Sequence, residues 1–280
     1  MTDDAILLPG SALRDTVERV ATSQRIVFVA GLSGVGKSLL VQQLARLTGA
    51  AGRVTHLLQW DVCRAAFETP AILARYPEVE GATHMAIRKA VGLWVRDAVQ
   101  AWHVQHPSAE HVLIGEPPLA GNRLIELAQR RDDEPEALLA GPESLFLVPV
   151  PSRAVRATIE AARARSIASP THARESADAP PNVMADDWLE IHERAVRLGV
   201  APPSTEAPAF DPDAYARVYQ HWLRHRRTEL LPIDVVLDPA GSVYDIGAVA
   251  SELAANSAQV EHYMTIVERS GDLESMQEVT

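Results

Sequence analysis

Gly31-Leu32-Ser33-Gly34-Val35-Gly36-Lys37-Ser38 carries the clearest chemistry in this chain, fitting the spacing G-x-x-x-x-G-K-[ST] in full. Glycines at these positions let backbone N–H groups curl around an anion without Cβ obstruction, and a following helix offers its positive end. On this pattern Gly31, Ser33, Gly34, Val35, Gly36, Lys37, Ser38 and Leu39 line the phosphates of a nucleotide. Lys37 reaches the β- and γ-phosphates, and the Ser38 hydroxyl ligates Mg2+. Lysine is scarce, with Lys37 and Lys89 the only two among 26 basic residues, so composition alone does not readily produce the match.

A second group lies 24 residues beyond Lys37, where Asp61 sits in Gln59-Trp60-Asp61-Val62-Cys63-Arg64 at the end of an apolar segment. A carboxylate at the carboxyl end of a parallel strand faces the ligand crevice of an open α/β sheet. It would accept the proton of an attacking hydroxyl while Arg64 orients the acceptor. The same aspartate would also serve as a helix cap. The third apolar segment ends in Glu116, a single carboxylate followed by Pro117-Pro118, unlike the Asp-Glu pair of motor-type ATPases.

Other nucleotide-using classes leave marks that are missing. No Asn-Lys-x-Asp guanine-selecting motif and no Leu-Ser-Gly-Gly-Gln signature occurs, and Asp238-Pro239-Ala240-Gly241 reads as a turn far beyond the loop. His221 and His225 are four apart on a predicted helix, but Arg224, Arg226 and Arg227 around them make a cation site unfavourable, so they read as surface histidines.

The elements that would position these groups alternate. Residues 25–30, 54–59, 111–115, 144–150 and 232–237 read as strands, the first β-branched and apolar as in a sheet buried on both faces. Helical spacing covers 11–24, the segment after Ser38, 82–103, 124–130, 153–167, 183–198, 213–227 and 257–269. The order predicts an α/β fold: a doubly wound, mainly parallel five-stranded sheet with helices on both faces. Residues 1–280 read as one domain, with the Pro- and Arg-rich stretch 151–212 as a helical lid-like insertion.

The chain has 280 residues, a net charge of −11 and 47% hydrophobic residues, an ordinary globular composition. Its acidity opposes nonspecific nucleic-acid binding without excluding a local basic groove. Cys63 is the only cysteine, no apolar run suits a membrane, and Met1-Thr2-Asp3-Asp4 is acidic where a secretory signal is basic. A soluble cytoplasmic protein is expected.

On Gly31 to Ser38, Asp61-x-x-Arg64, Glu116 and the arginines after the fourth strand, the chain resembles P-loop kinases of small molecules and nucleic-acid ends. That group includes zeta-toxin-like kinases, chloramphenicol phosphotransferase, the kinase domain of polynucleotide kinases and, more distantly, nucleoside and nucleotide kinases. The resemblance spans roughly residues 25–175 and implies a P-loop NTPase sheet and an ATP- and Mg2+-dependent phosphotransferase. It implies Asp61 as general base, Arg64 as the group positioning the acceptor, and Glu116 at the Mg2+-bound water or the acceptor. Lid arginines are a further implication, for which Arg163 and Arg165 are the expected pair among Arg153, Arg156, Arg163, Arg165 and Arg174. Gly115-Glu116-Pro117-Pro118 departs from the Asp-Gly-x-Pro-Arg of nucleoside monophosphate kinases, and the nearest arginine, Arg123, is displaced, so a nucleoside monophosphate acceptor is disfavoured. The acceptor expected is an unidentified small molecule or nucleotide bearing a hydroxyl. The alternatives are a nucleotide-dependent switch or regulatory ATPase without acceptor, and a nucleic-acid-end kinase.

Overall fold

Ile26–Val29 (β1) is apolar throughout and buried at every position, because helices cover both faces of the sheet that it centres. The computed structural model describes residues 7, 10–79, 81–170, 172, 174–175, 179, 181–204, 206–237 and 242–270. The acidic N-terminus Met1 to Asp4 and the Asp238 to Gly241 turn lie outside the described residues, as does part of the stretch between 170 and 181.

In chain order the helices are α1 (Ala12–Ser23), α2 (Lys37–Ala50), α3 (Trp60–Phe67), α4 (Pro70–Leu73), α5 (Met85–Gln105), α6 (Glu136–Ala140), α7 (Arg153–Ala168), α8 (Pro181–Arg197), α9 (Pro212–Trp222) and α10 (Ser257–Ser270). The remaining strands are β2 (Val54–Gln59), β3 (His111–Glu116), β4 (Ser144–Pro151), β5 (Thr228–Ile233) and β6 (Ser251–Glu252). They pair in the order β5-β4-β1-β3-β2-β6, parallel at every junction.

This topology fixes where a ligand belongs. The chain leaves β1 through α2 and passes β3 to reach β2, whereas from β3 it passes β1 to reach β4. The connections therefore diverge between β1 and β3, and the crevice at their carboxyl ends is the binding position of an open α/β sheet.

Side-chain alternation along β1 divides the core into two layers. Val27 and Val29 pack with Val17 and Val20 of α1 and Leu40, Val41 and Leu44 of α2. Ile26 and Phe28 face Val91 and Trp94 of α5 and Tyr215 and Tyr219 of α9. Phe28 and Phe146 meet with ring centroids 4.7 Å apart. A Cβ at Gly115 would fall 2.5 Å from Cδ1 of Phe28, so glycine is required beside Glu116.

Three expectations change. The sheet has six strands, because Ser251–Glu252 adds an edge too short to leave a periodic signal. The strand placed at 232–237 lies at Thr228–Ile233, where Pro232 is tolerated on an edge strand that pairs only with β4. The helix expected over 124–130 shrinks to one 3-10 turn, Ile125–Leu127. Leu119, Asn122 and Leu124 carry φ of 63°, 56° and 63°, a left-handed backbone that interrupts helical periodicity.

Such strain persists only where the surroundings over-determine it. Two buried guanidinium groups hold the segment that directly follows these turns. Arg226 donates to the carbonyls of Leu127 and Gln129 at 2.7 and 2.6 Å, and Arg96 donates to the carbonyl of Glu126 at 2.6 Å. Both also grip Glu136, at 2.8 and 2.9 Å. Burial opposes ionisation of this carboxyl, yet its hydrogen bonds to Arg226 and Arg96 win and pull its pKa down to about 2. Residues 126–129, where the loop that carries Arg123 ends, are thereby pinned to α5 and to the segment after α9.

Candidate functional site

A cavity of about 850 Å³ opens in that crevice, with Lys37, Ser38, Asp61, Arg64, Glu116, Arg123 and Arg163 all in its wall. The glycine-rich turn forms its floor. Gly34 and Gly36 adopt φ of 82° and 90°, and α2 begins at Lys37 with Gly36 as a cap that offers no side chain. At Gly31 a Cβ would sit 2.6 Å from the Tyr215 hydroxyl and 2.8 Å from Val35 Cγ2, so the turn closes against α9 only with glycine. At Gly34 a Cβ would meet Met184 Sδ at 3.2 Å and Glu160 Cγ at 3.7 Å, which places α7 and α8 directly over the turn.

Lys37 is 8% exposed; its Nζ donates to the Leu32 carbonyl at 2.8 Å and lies 3.9 Å from Glu116 Oε1. Burial lowers its pKa from 10.5 to about 8, and Arg163 and Arg123 push the same way while Glu116 and Asp187 oppose them. A buried ammonium held this far from its ordinary range favours an added anion.

Glu116 is the hub beside it. The Ser38 hydroxyl donates to Oε1 at 2.9 Å, and Gln59 Nε2 donates to Oε2 at 3.2 Å across the β2–β3 register. Arg174 donates to Gln59 Oε1 at 2.7 Å and to both Glu252 oxygens at 2.9 Å, which ties edge strand β6 to the same cluster. Ser38 and Glu116 present hard oxygen donors side by side, the donor set that Mg2+ prefers, so the residues fit that ion.

Asp61 occupies the first turn of α3 rather than a free strand end, because the helix starts at Trp60 directly after β2. Its side chain is 67% exposed and accepts from Arg64 Nε at 3.3 Å. Arg64 also pairs with Glu68 at 2.9 Å, and Thr83 donates to the same Glu68 at 3.0 Å. Arg123 grips Asp187 of α8 through both oxygens at 2.6 Å. Glu190, one turn on, accepts from the Gly121 backbone N–H at 2.8 Å, and burial raises its pKa.

The expected lid pair separates. Arg163 lines the cavity, whereas Arg165 is exposed on α7 outside the lining, since residues two apart on a helix point in different directions. Arg174 lines the cavity in its place. Cys63 lies on the buried face of α3 outside the cavity lining, and burial raises its thiol pKa. Trp94 and Trp102 are buried in the core, and His84 caps α5 by accepting from Ala86 N–H at 3.1 Å.

Sequence reasoning did not single out Gln59, Arg88, Asp187, Glu190 or Glu252, all in the cavity wall. Asp187 and Glu190 lie three apart on α8, the spacing that puts both on one helix face, and this was the one signal that could have found them. Among the described residues no helix is long and apolar enough to cross a membrane. Compared with known proteins, the chain matches no family model, no curated protein and no solved structure, so the cavity's own geometry carries its functional reading.

Proposed function

We propose that this protein is an ATP- and Mg2+-dependent phosphotransferase that moves a γ-phosphoryl group to a hydroxyl of a small polar molecule. The observation that carries this reading is the shared cavity. It joins the glycine turn, the buried Lys37 and the Ser38–Glu116 pair to a second wall rich in charged groups of both signs.

In this reading the N–H groups from Gly31 to Leu39 cradle the phosphates, and Lys37 exchanges its contact with the Leu32 carbonyl for phosphate oxygens. Ser38 and Glu116 hold Mg2+, which neutralises charge on the phosphates when bound. Asp61 accepts the proton of the attacking hydroxyl, and Arg64 keeps that carboxylate oriented. Arg123, fixed by Asp187, positions the acceptor. Within a single domain, α7 and α8 of the stretch 151–212 act as the lid, lying over the turn. Arg163 and Arg174 stabilise charge on the transferring group while the lid excludes water.

The test is transfer itself. With γ-labelled ATP, Mg2+ and a mixture of hydroxyl-bearing metabolites, the protein should yield a labelled product that the Asp61→Ala variant does not form. ATP turnover that yields free phosphate alone, whatever acceptor is offered, would contradict the reading.

A further inference from the structure

Toward the amino-terminal ends of β2 and β3, away from the cavity at the carboxyl ends of the same strands, three histidines converge. His56 sits early in β2, His111 is the first residue of β3, and His106 caps the carboxyl end of α5. The register explains the meeting: Val54 pairs with His111 and His56 with Leu113, so the two strand histidines share one face of the sheet as diagonal neighbours. One ring nitrogen from each of the three lies within 4.8 Å of the others.

We infer that His56, His106 and His111 form a binding site for a divalent transition-metal ion of the zinc class. Three imidazole donors with no carboxylate or thiolate suit zinc, cobalt, nickel or copper and exclude magnesium and calcium. Around a tetrahedral zinc with bonds of about 2.0 to 2.1 Å, ligand nitrogens lie roughly 3.3 Å apart. His56 Nε2 and His111 Nδ1 are already 2.9 Å apart, and the 4.8 Å bound leaves the third ring a closing movement of at most about 1.5 Å. His106 and His111 are half-exposed, which leaves room for that movement and an open side where water completes four-coordination.

The surroundings prepare the ligands. His56 Nδ1 lies 2.7 Å from the Ser251 hydroxyl on β6, the second-shell contact that fixes a metal-bound imidazole in one tautomer and leaves Nε2 free for the ion. The rings also crowd one another, with His56 and His106 centroids 4.4 Å apart and Trp102 at 5.6 Å from each. Burial together with the neighbouring histidines lowers the pKa of His56 to about 4, so its lone pair is available at neutral pH. Arg25 is the one cation among these contacts; it donates to the His106 carbonyl and lies 3.8 Å from Glu143, which offsets its charge. Bound metal would tie β2, β3 and α5 together and, through Ser251, clamp the two-residue edge strand β6.

The test uses the full chain, stripped with a chelator and titrated with Co2+ in excess Mg2+, so that oxygen sites such as Ser38–Glu116 stay occupied. Wild type should bind one Co2+ at micromolar or tighter affinity, with the visible absorption of a four-coordinate nitrogen-ligated ion, and Zn2+ should displace it. His106→Ala and His111→Ala, at half-exposed positions, should each weaken binding by about a hundredfold, and Ser251→Ala by about tenfold. His221→Ala should bind like wild type. Circular dichroism and metal-free Tm identify any variant that fails to fold, and His106→Gln, which keeps the bulk of the ring's stem, then replaces it. Absence of a tight Co2+ equivalent, or affinity unchanged in folded His106 and His111 variants, would overturn the site.

Discussion

The Ser38 hydroxyl donates a 2.9 Å hydrogen bond to Glu116 Oε1, joining the first residues of α2 to the last residue of β3 across 78 positions of sequence. The parallel pairing of β1 with β3 produces this contact, since it sets the glycine turn beside the end of the neighbouring strand. Gln59 then fixes the other Glu116 oxygen, so the carboxylate cannot rotate away from Ser38 without losing a second bond.

Ser38→Ala removes the hydroxyl from that pair. A hydrogen bond to a charged group contributes about 1.5 to 3 kcal/mol, so MgATP affinity should fall roughly tenfold to a hundredfold. Calorimetric titration of ATP with Mg2+ and with EDTA checks it. The gap between the two conditions in wild type should vanish in the variant, and an unchanged gap would remove Ser38 from metal binding.

Lys37 makes two opposite statements about pH. Its folded pKa of about 8 lies below the ordinary 10.5, so between those values the unfolded chain binds more protons and stability rises with pH. The proposed phosphate contact needs the ammonium, so ATP affinity should fall as pH rises through about 8, and binding there should take up a proton. Calorimetry in two buffers of different ionisation enthalpy measures that uptake. Lys37→Arg, which stays charged, should show none.

Asp61→Ala separates transfer from binding. Because Asp61 is exposed and bonded to Arg64 rather than to the glycine turn, ATP affinity should stay within about twofold of wild type. Loss of the proposed general base should lower kcat by roughly 10² to 10⁴. Single-turnover transfer from labelled ATP checks it. Full transfer by the variant would reassign the proton acceptor, with Asp187 and Glu190 the remaining carboxylates facing Arg123 and Gly121.

Arg226→Ala tests the loop that carries Arg123. Its fully buried guanidinium serves two carbonyls and Glu136, and removing one partner of a buried charge pair costs roughly 3 to 5 kcal/mol. A urea unfolding midpoint lowered accordingly is expected, and a change below about 1 kcal/mol would show that residues 127–129 stay in place without this guanidinium.

What the sequence made legible followed from periodicity and from one dense motif. β1, β3, β4 and the long α5 are uniformly buried or regularly amphipathic and fell close to their expected bounds. The glycine turn fell between β1 and α2 because its residue types have few other uses together. What stayed hidden depends on contacts between distant segments. β6 is two residues long and exists through its pairing with β2. The broken helix after Leu124 comes from backbone strain held by Arg96 and Arg226, which no local pattern encodes. Arg174 reaches the cavity by bonding Gln59, 115 positions away, whereas Arg165 shares its helix with Arg163 and faces elsewhere.

Titration of MgATP into the wild-type chain and into Lys37→Ala, followed by calorimetry at neutral pH, addresses the proposed phosphate cradle most directly. Wild type should bind one nucleotide, and the variant, its fold verified by circular dichroism, should lose affinity by a hundredfold or more, on the order of 3 kcal/mol. Equal binding by both proteins, or no heat from either, would contradict the account.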